Sequence, residues 1–450
     1  MATMPELAGN ATASVIVRPR RRGAGGRAVT PAGRRIAMAN GSGAGGCGRR
    51  RPGAPPFPPS GDHAPWHGEV VRIDDRRCRR LIRFLPSLLI AMNRRAFTLS
   101  AAGALLGCGA PRSTAAEAGP GDAFQRLRKE IEASVNRGLD YLLSQEDRES
   151  GTFPDGAYGR STGISSLVGM ALLSTGHRPG VGKYGEALDR RIDFALRHAK
   201  ENGLIESGDH GHGPMYAHNI STLFLSECSG MVSPERQKRL DPALAAGTKV
   251  LLDAQAVRKD PDHQGGWRYF PNSTDSDLSC SGWALMSLRS AKLNGAPVPK
   301  AAIDSAVDYV LRRQHKRNGH FGYMGDSDHA DTLTGAALLS LCVCGKFDDP
   351  LVIKGADWVL KNFKNLPGNQ FEYYGNYYNA QAMFQMGGKY WQTYSDWMYD
   401  YYLKEQEQDG DWEGTSYGRV YSTSMMVLAF TVPYRQLPIY QRDERVDEES

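Results

Sequence analysis

One short pattern recurs along this chain and narrows what it can fold into. A Gln closes an apolar helical run, a Gly follows after a few residues, and an aromatic comes next. The copies are "QEDRESGTF" (Gln145 to Phe153), "QAVRKDPDHQGGW" (Gln255 to Trp267), "QHKRNGHF" (Gln314 to Phe321) and "QEQDGDW" (Gln406 to Trp412). Upstream of each Gln the apolar residues fall at helical rather than strand spacing. A side-chain amide at a helix end can bond carbonyls that the helix leaves unpaired. The aromatic then buries a large area over the turn. The spacing therefore predicts a structural joint between helices, not a catalytic device.

The helices themselves come in pairs. The first of each pair carries Asp followed by an aromatic: Asp140-Tyr141, Asp193-Phe194, Asp308-Tyr309, Asp357-Trp358 and Asp396-Trp397. The one long interval, between Asp193 and Asp308, spans a degenerate copy, "GTKVLLDAQ" at 247–255. The second of each pair is richer in small residues. It ends in Gly at Gly176, Gly230, Gly295, Gly345 and Gly388, and at Pro433 in the last copy. Gly past the last periodic residue is a helix stop because it adopts the left-handed conformation cheaply. About six helical hairpins read as a stacked all-α array. Apolar faces on both helices of a pair favour a closed double ring over an open superhelix.

The Gln-x-x-x-Gly-x-Trp motif resembles the repeat of the squalene cyclase and protein prenyltransferase family. The stretch "GGWRYFPNSTDSDLSCSGWALMSL" (265–288) is most similar to planctomycete-type repeat proteins of that family. The resemblance covers roughly residues 125–432 and implies a terpenoid cyclase-like α/α toroid, (α/α)6-barrel-like, over 122–437. Inner helices would surround a central cavity. Toroids host unrelated reactions, so the resemblance speaks to fold more than to chemistry.

The 450 residues carry a formal net charge of +6, but unevenly. Residues 1–91 hold 16 Arg, no Lys and 5 acidic residues, so the remainder is net acidic. The expected domain thus lacks the clustered Lys/Arg of a nucleic-acid binder. Residues 1–91 are Arg, Gly, Pro and Ala rich, are expected to be disordered, and read as upstream sequence that the mature protein need not carry. At Met92, "MNRRAFTLSAAGALLGCGAP" resembles a twin-arginine export signal. "LLGC" resembles a lipobox with Cys108 as the lipidated residue, although Leu106 replaces the usual small residue. An export signal over 92–118 implies a periplasmic or cell-envelope protein whose only membrane attachment is a lipid anchor at Cys108. Residues 438–450 read as a polar tail. Seven Cys, at 47, 78, 108, 228, 280, 342 and 344, show no zinc-finger or disulfide spacing.

Chemistry is expected in the loops that lead into the inner helices: 152–163, 205–219, 265–281, 319–334, 370–379 and 411–422. The acid candidates are Asp326 and Asp328, with Asp277 or His329 assisting. Squalene-type cyclases protonate an alkene with an Asp in Asp-x-Asp-Asp. Here Asp275-Ser-Asp277-Leu278 and Asp326-Ser-Asp328-His329 both lack the final Asp, which counts against cyclase chemistry. Asp277 and Asp331 also sit where a helix N-cap is expected. Candidate ligand-binding residues are Asp275, Tyr374, Tyr378, Tyr417, Arg419, Arg268 and His218. The bland alternatives are aromatic packing for the Tyr cluster and salt bridges for the two Arg. Prenyltransferases of this fold hold zinc, so His210, His212 and His329 are metal candidates, but no Asp-x-Cys is present and no cofactor is firmly expected. The ligand classes left open are a small molecule, a glycan or a peptide. The function is read as ligand binding in the cavity of an exported toroid, with acid/base chemistry there as an option. The alternatives are a terpenoid cyclase or prenyltransferase, a polysaccharide lyase-like enzyme, and a non-catalytic envelope module.

Overall fold

A computed structural model describes residues 122–208, 212–326 and 328–441. The basic leader, the export signal, Cys108 and His210 lie outside the described residues. Thirteen α-helices follow in order: α1 (Asp122–Arg126), α2 (Arg128–Ser144), α3 (Thr162–Ser174), α4 (Gly182–Arg197), α5 (Met215–Cys228), α6 (Pro234–Ala256), α7 (Leu278–Leu293), α8 (Lys300–Arg312), α9 (Ala330–Cys342), α10 (Pro350–Asn362), α11 (Glu372–Met386), α12 (Gly388–Tyr402) and α13 (Arg419–Phe430). Among the described residues there are no strands, only isolated bridges across loops.

The odd-numbered helices from α3 to α13 form an inner ring. Each packs on the next, and α13 returns to pack on α3. The even-numbered helices form the outer layer. The protein is therefore an all-α double ring, an α/α toroid. Side-chain chemistry sorts the layers. All thirteen residues of α3 are buried, as is almost every residue of α7 and α11. An outer helix such as α2 buries one stripe, Ile131, Val135, Leu139 and Leu142, as an amphipathic surface helix should. Small residues let inner helices approach closely. A Cβ built on Gly335 of α9 would lie 2.2 Å from Asn379 Oδ1 and 2.7 Å from the Asn379 amide nitrogen on α11.

The repeated Gln does something more specific than cap its own helix. Gln255 Nε2 donates to Gly265 O (2.9 Å) in its own loop and to Ala302 O (2.8 Å) on α8. Gln314 Nε2 does the same with Gly319 O (2.9 Å) and Leu351 O (2.7 Å) on α10. Gln406 Nε2 donates to Gly410 O (2.7 Å) and Ser134 O (2.9 Å) on α2. Each Gln thus joins one outer helix to the next, and the last copy joins the sixth hairpin to the first. Gly410 makes the turn at φ +96°, with Arg137 backbone where a Cβ would stand. The aromatics anchor the loop: Trp267 and Trp412 are buried, and their indole N–H groups donate to Leu251 O (2.8 Å) and Tyr402 O (2.9 Å). The first copy departs from this scheme. Among the described residues the Gln145 side chain donates only to the neighbouring Ser144 hydroxyl, and Glu146 instead accepts from Arg190 and the buried Arg191 of α4.

The repeated Asp has a matching role. Asp140 accepts from Lys183 and Tyr184 of α4, Asp193 from Arg236 and Arg239 of α6, and Asp357 from Lys389 and Tyr390 of α12. The described residues continue past 437 into the segment read from sequence as a polar tail. Residues Pro438–Tyr440 form a 3-10 turn with Ile439 buried against the ring.

Candidate functional site

A cavity of about 410 Å³ opens among the N-terminal ends of the inner helices. Its wall takes Leu167 from α3, Ile220 from α5, Trp283 from α7, Leu333 from α9, Tyr374 from α11, and Tyr421 with Met425 from α13. Every inner helix contributes, which places the cavity on the ring axis. Among the described residues no Asp, Glu, Lys or Arg lines it.

The mouth is bounded by an unbroken circuit of rings, with at least one from each of the six loops. Tyr158 stacks on Tyr417 at 5.6 Å between centroids and lies 6.3 Å from His212. His212 is 5.7 Å from Tyr269, whose hydroxyl meets that of Tyr323. Tyr323 meets His329 edge-on at 6.0 Å, His329 meets Phe371 at 5.5 Å, and Phe371 returns to Tyr417 at 6.2 Å. All seven line the cavity. His329 holds φ +56°, the left-handed region, at the N-terminus of α9. Such backbone is sparse for a non-Gly residue and collects at functional sites.

Behind this collar lies a buried acid. Asp277 is the N-cap of α7, and its Oδ1 accepts from the Cys280 amide at 2.7 Å, as the capping expectation has it. Its Oδ2 is buried and has no hydrogen-bond partner among the described residues. The nearest cation is the Arg268 guanidinium, with Nη1 at 3.7 Å. Burial outweighs this charge and the cap bond and pushes the Asp277 carboxyl up to about 7. Arg268 also reaches Asp275 at 3.6 Å and lies over the Tyr269 and Tyr323 rings at 4.4 and 5.5 Å. The hydroxyls of Tyr216, Tyr323 and Tyr374, all cavity-lining, are pushed up by burial first and by the Asp277 charge among the further causes.

The other candidates separate. Tyr374 and Tyr417 line the cavity, and Tyr374 meets the Ser279 hydroxyl at 2.9 Å. Tyr378 is fully buried behind Tyr374 and outside the lining. His218 faces the outer layer rather than the axis. Its Nδ1 accepts from the Ile205 amide (3.1 Å), so Nε2 carries the proton and donates to Gly247 O (3.1 Å) on α6. Burial lowers its pKa to about 4, so this imidazole is a neutral structural tie. Arg419 is exposed and pairs with the buried Asp411 at 2.5 Å. Asp326 and Asp328 are exposed and outside the lining. Asp331 is not the N-cap: α9 starts at Ala330, which leaves it in the first turn. Among the described residues no three His, Cys, Asp or Glu side chains gather as metal ligands would. His212 and His329 sit in the collar with Tyr269 and Tyr323 between them.

Sequence reasoning missed Tyr158, Tyr269, Tyr323 and Phe371. A signal for two of them was present. In "GGWRY" and "GHFGY" a Tyr stands two residues after the anchoring aromatic, so the anchor holds the backbone while the next ring on that face reaches the mouth.

No family model and no curated protein matches the chain. Among solved structures it is similar to the type II terpene cyclase MstE from Scytonema in complex with geranylgeranyl dihydroxybenzoate, at 15% identity and a TM-score of 0.44, over 70% of this chain and 100% of that one. It is also similar to the GH76 α-mannanase BT2949 of Bacteroides thetaiotaomicron, at 10% identity and a TM-score of 0.49, over 70% and 99% of the two chains. A third is the cellobiose 2-epimerase of Bacillus thermoamylovorans B4167, at 13% identity and a TM-score of 0.48, over 68% and 98%.

Proposed function

We propose that the protein binds an apolar chain-like molecule, of isoprenoid or related hydrocarbon type, in its axial cavity. The observation that carries this reading is the lining: it is mainly aromatic and aliphatic, its polar side chains are Ser161, Ser279, Thr332, Gln370, two His and the Tyr hydroxyls, and none of the described lining residues is Asp, Glu, Lys or Arg. A sugar or peptide presents many polar groups, more than the few Ser, Thr, Gln, His and Tyr groups of this wall can satisfy, and those left over would lose water without gaining a partner. A hydrocarbon instead gains roughly 25 cal/mol for each Å² it buries. The cavity volume falls within the range of pockets that hold small molecules. The test is tryptophan emission, since Trp283 lines the cavity. Geranylgeraniol should change it saturably, a cello-oligosaccharide should not, and Trp283→Phe should abolish the change. Saturable binding of the oligosaccharide alone would overturn the reading.

One observation favours chemistry beyond binding. The Asp277 carboxyl, raised to about 7 by burial with one oxygen unpartnered, is a neutral acid at mildly acidic pH beside the Tyr wall. Asp277 is outside the lining, so a proton from it would reach an oxygen of the bound molecule by way of the cavity-lining Tyr hydroxyls. All three acids lie outside the lining; we assign the acid role to Asp277 because it is buried against the cavity-lining Tyr216, Tyr323 and Tyr374, whereas Asp326 and Asp328 are exposed. Asp277→Asn keeps the helix cap and should abolish turnover of a bound polyprenyl substrate while leaving its binding intact. Turnover that survives this change would remove the assignment.

The reading also includes export through residues 92–118 with a lipid anchor at Cys108. Radiolabelled palmitate incorporated into wild-type protein but not into Cys108→Ser would support the anchor.

A further inference from the structure

The far end of the ring, opposite the collar, is crossed by the chain's own C-terminal segment. Arg435 lies over the Phe384 ring of α11 at 5.3 Å, and Gln436 lies beside Gly176 at the end of α3. Leu437 and Ile439 are buried. Gln385 Nε2 of α11 donates to Tyr440 O at 2.6 Å. The Ile439 amide donates to Glu227 Oε2 at 3.2 Å, and Ser290 of α7 donates to Glu227 Oε1 at 2.5 Å. Glu227, one residue before the end of α5, is a buried carboxyl that the proposed chemistry does not use.

From this strap a continuous line of rings leads to the cavity. The Tyr440 hydroxyl meets that of Tyr377 on α11. The Tyr377 ring stacks on Trp283 at 5.9 Å and 12°. Trp283 lines the cavity.

We infer that the C-terminal strap is part of the ligand site: seated on Glu227, it holds Tyr377 and Trp283 in place and so sets how deep the cavity is and how long a chain it accepts. The inference rests on the apolar-ligand reading for the word ligand, and the strap itself can be tested without one. Glu227 is a positioning residue, since it acts through the strap.

The seat is sensitive to pH. Burial pushes the Glu227 carboxyl up to about 7, against the opposing effect of the Ser290 and Ile439 hydrogen bonds. The titratable groups around it are Cys228 on its own helix, Tyr377 on α11 and Tyr440 on the strap, all pushed up mainly by burial, with Asp189 of α4 acting on Cys228. Among the described residues no cation acts on Glu227. A raised folded-state pKa means that the seat is firm when the carboxyl is neutral. It weakens as pH rises from the ordinary Glu range through about 7, because a buried carboxylate with no counter-ion among the described residues draws in water.

Hydrogen–deuterium exchange on the ligand-free full chain, corrected for intrinsic rates and run from about pH 5 to about pH 8, reads the strap directly. Protection of residues 437–441 and of the segment around Trp283 should fall together about tenfold or more in the wild type. Both should stay level in Glu227→Gln, which remains neutral. A pH-independent wild type, or a variant that tracks it, overturns the inference. In the second arm, n-alkanols of increasing length are bound to wild type, Tyr440→Phe and a chain ending at Gln436. The longest alkanol accepted should increase in both variants, and an unchanged limit overturns the role in depth. If no alkanol binds even the wild type, the apolar-ligand reading fails, while the exchange arm still decides whether strap and floor move together.

Discussion

The side-chain amide of Gln406 donates to the backbone carbonyl of Ser134 across 272 residues of sequence. That bond joins the sixth hairpin to the first. Its equivalents at Gln255 and Gln314 join only neighbours. Replacing Gln406 by Ala leaves two carbonyls, Ser134 O and Gly410 O, without this donor. Loss of buried hydrogen bonds of this kind costs about 1–3 kcal/mol. Urea unfolding should show that loss for Gln406→Ala. Gln145→Ala, which removes no such bridge, should change stability by less than about 0.5 kcal/mol.

Gly335→Ala places a methyl group against the Asn379 backbone, which cannot swing away as a flexible side chain could. Overpacking of this sort costs about 1–3 kcal/mol. Thermal unfolding should show a lower Tm for the variant, and the loss should be partly recovered in a variant that also shortens the Asn379 side chain.

His218 gives the fold an acid-side weakness. Its folded pKa lies near 4, below the usual value of 6.5, because burial disfavours the imidazolium. The unfolded chain therefore takes up a proton between those values and the folded chain does not, so stability falls as pH drops through that window. His218→Phe should flatten the pH dependence of Tm between about 6.5 and 4, although it loses the Ile205 and Gly247 bonds at every pH.

Asp277 works in the opposite direction. Its folded pKa is raised to about 7 from 3.8, so stability is greatest when the carboxyl is neutral and declines as pH rises between those values. Asp277→Asn keeps the cap acceptor and should remove that slope. The gain near neutral pH is on the order of 2–4 kcal/mol. Matched unfolding curves at two pH values measure it.

The hairpin count, the layer order and the ring closure were legible because they follow from hydrophobic period and from a motif that repeats. The specific job of that motif was not. The Gln amide spans to a neighbouring hairpin, and only three-dimensional placement shows which carbonyl it meets. Asp277 was legible as a cap from its position before an apolar run. Its unpartnered second oxygen was not, because burial depends on Tyr216, Tyr309 and Tyr323 from other parts of the chain. His218 was misplaced for a simple reason: one helical step decides whether a loop-proximal side chain faces the axis or the outer layer. The collar was half read. Tyr417, His212 and His329 stood out as polar loop residues, whereas Phe371 offers no chemistry by which to pick it out.

Because α13 packs on α2 and α3 and α1 packs on α12, the first and last described hairpins are spatial neighbours. The continuity of the polypeptide is thus broken at one arbitrary place in an otherwise cyclic object. A permuted gene, with residues near 122 and 441 bridged by a linker and new termini opened in the turn at 295–297, where Gly295 and Pro297 are exposed, should encode the same fold.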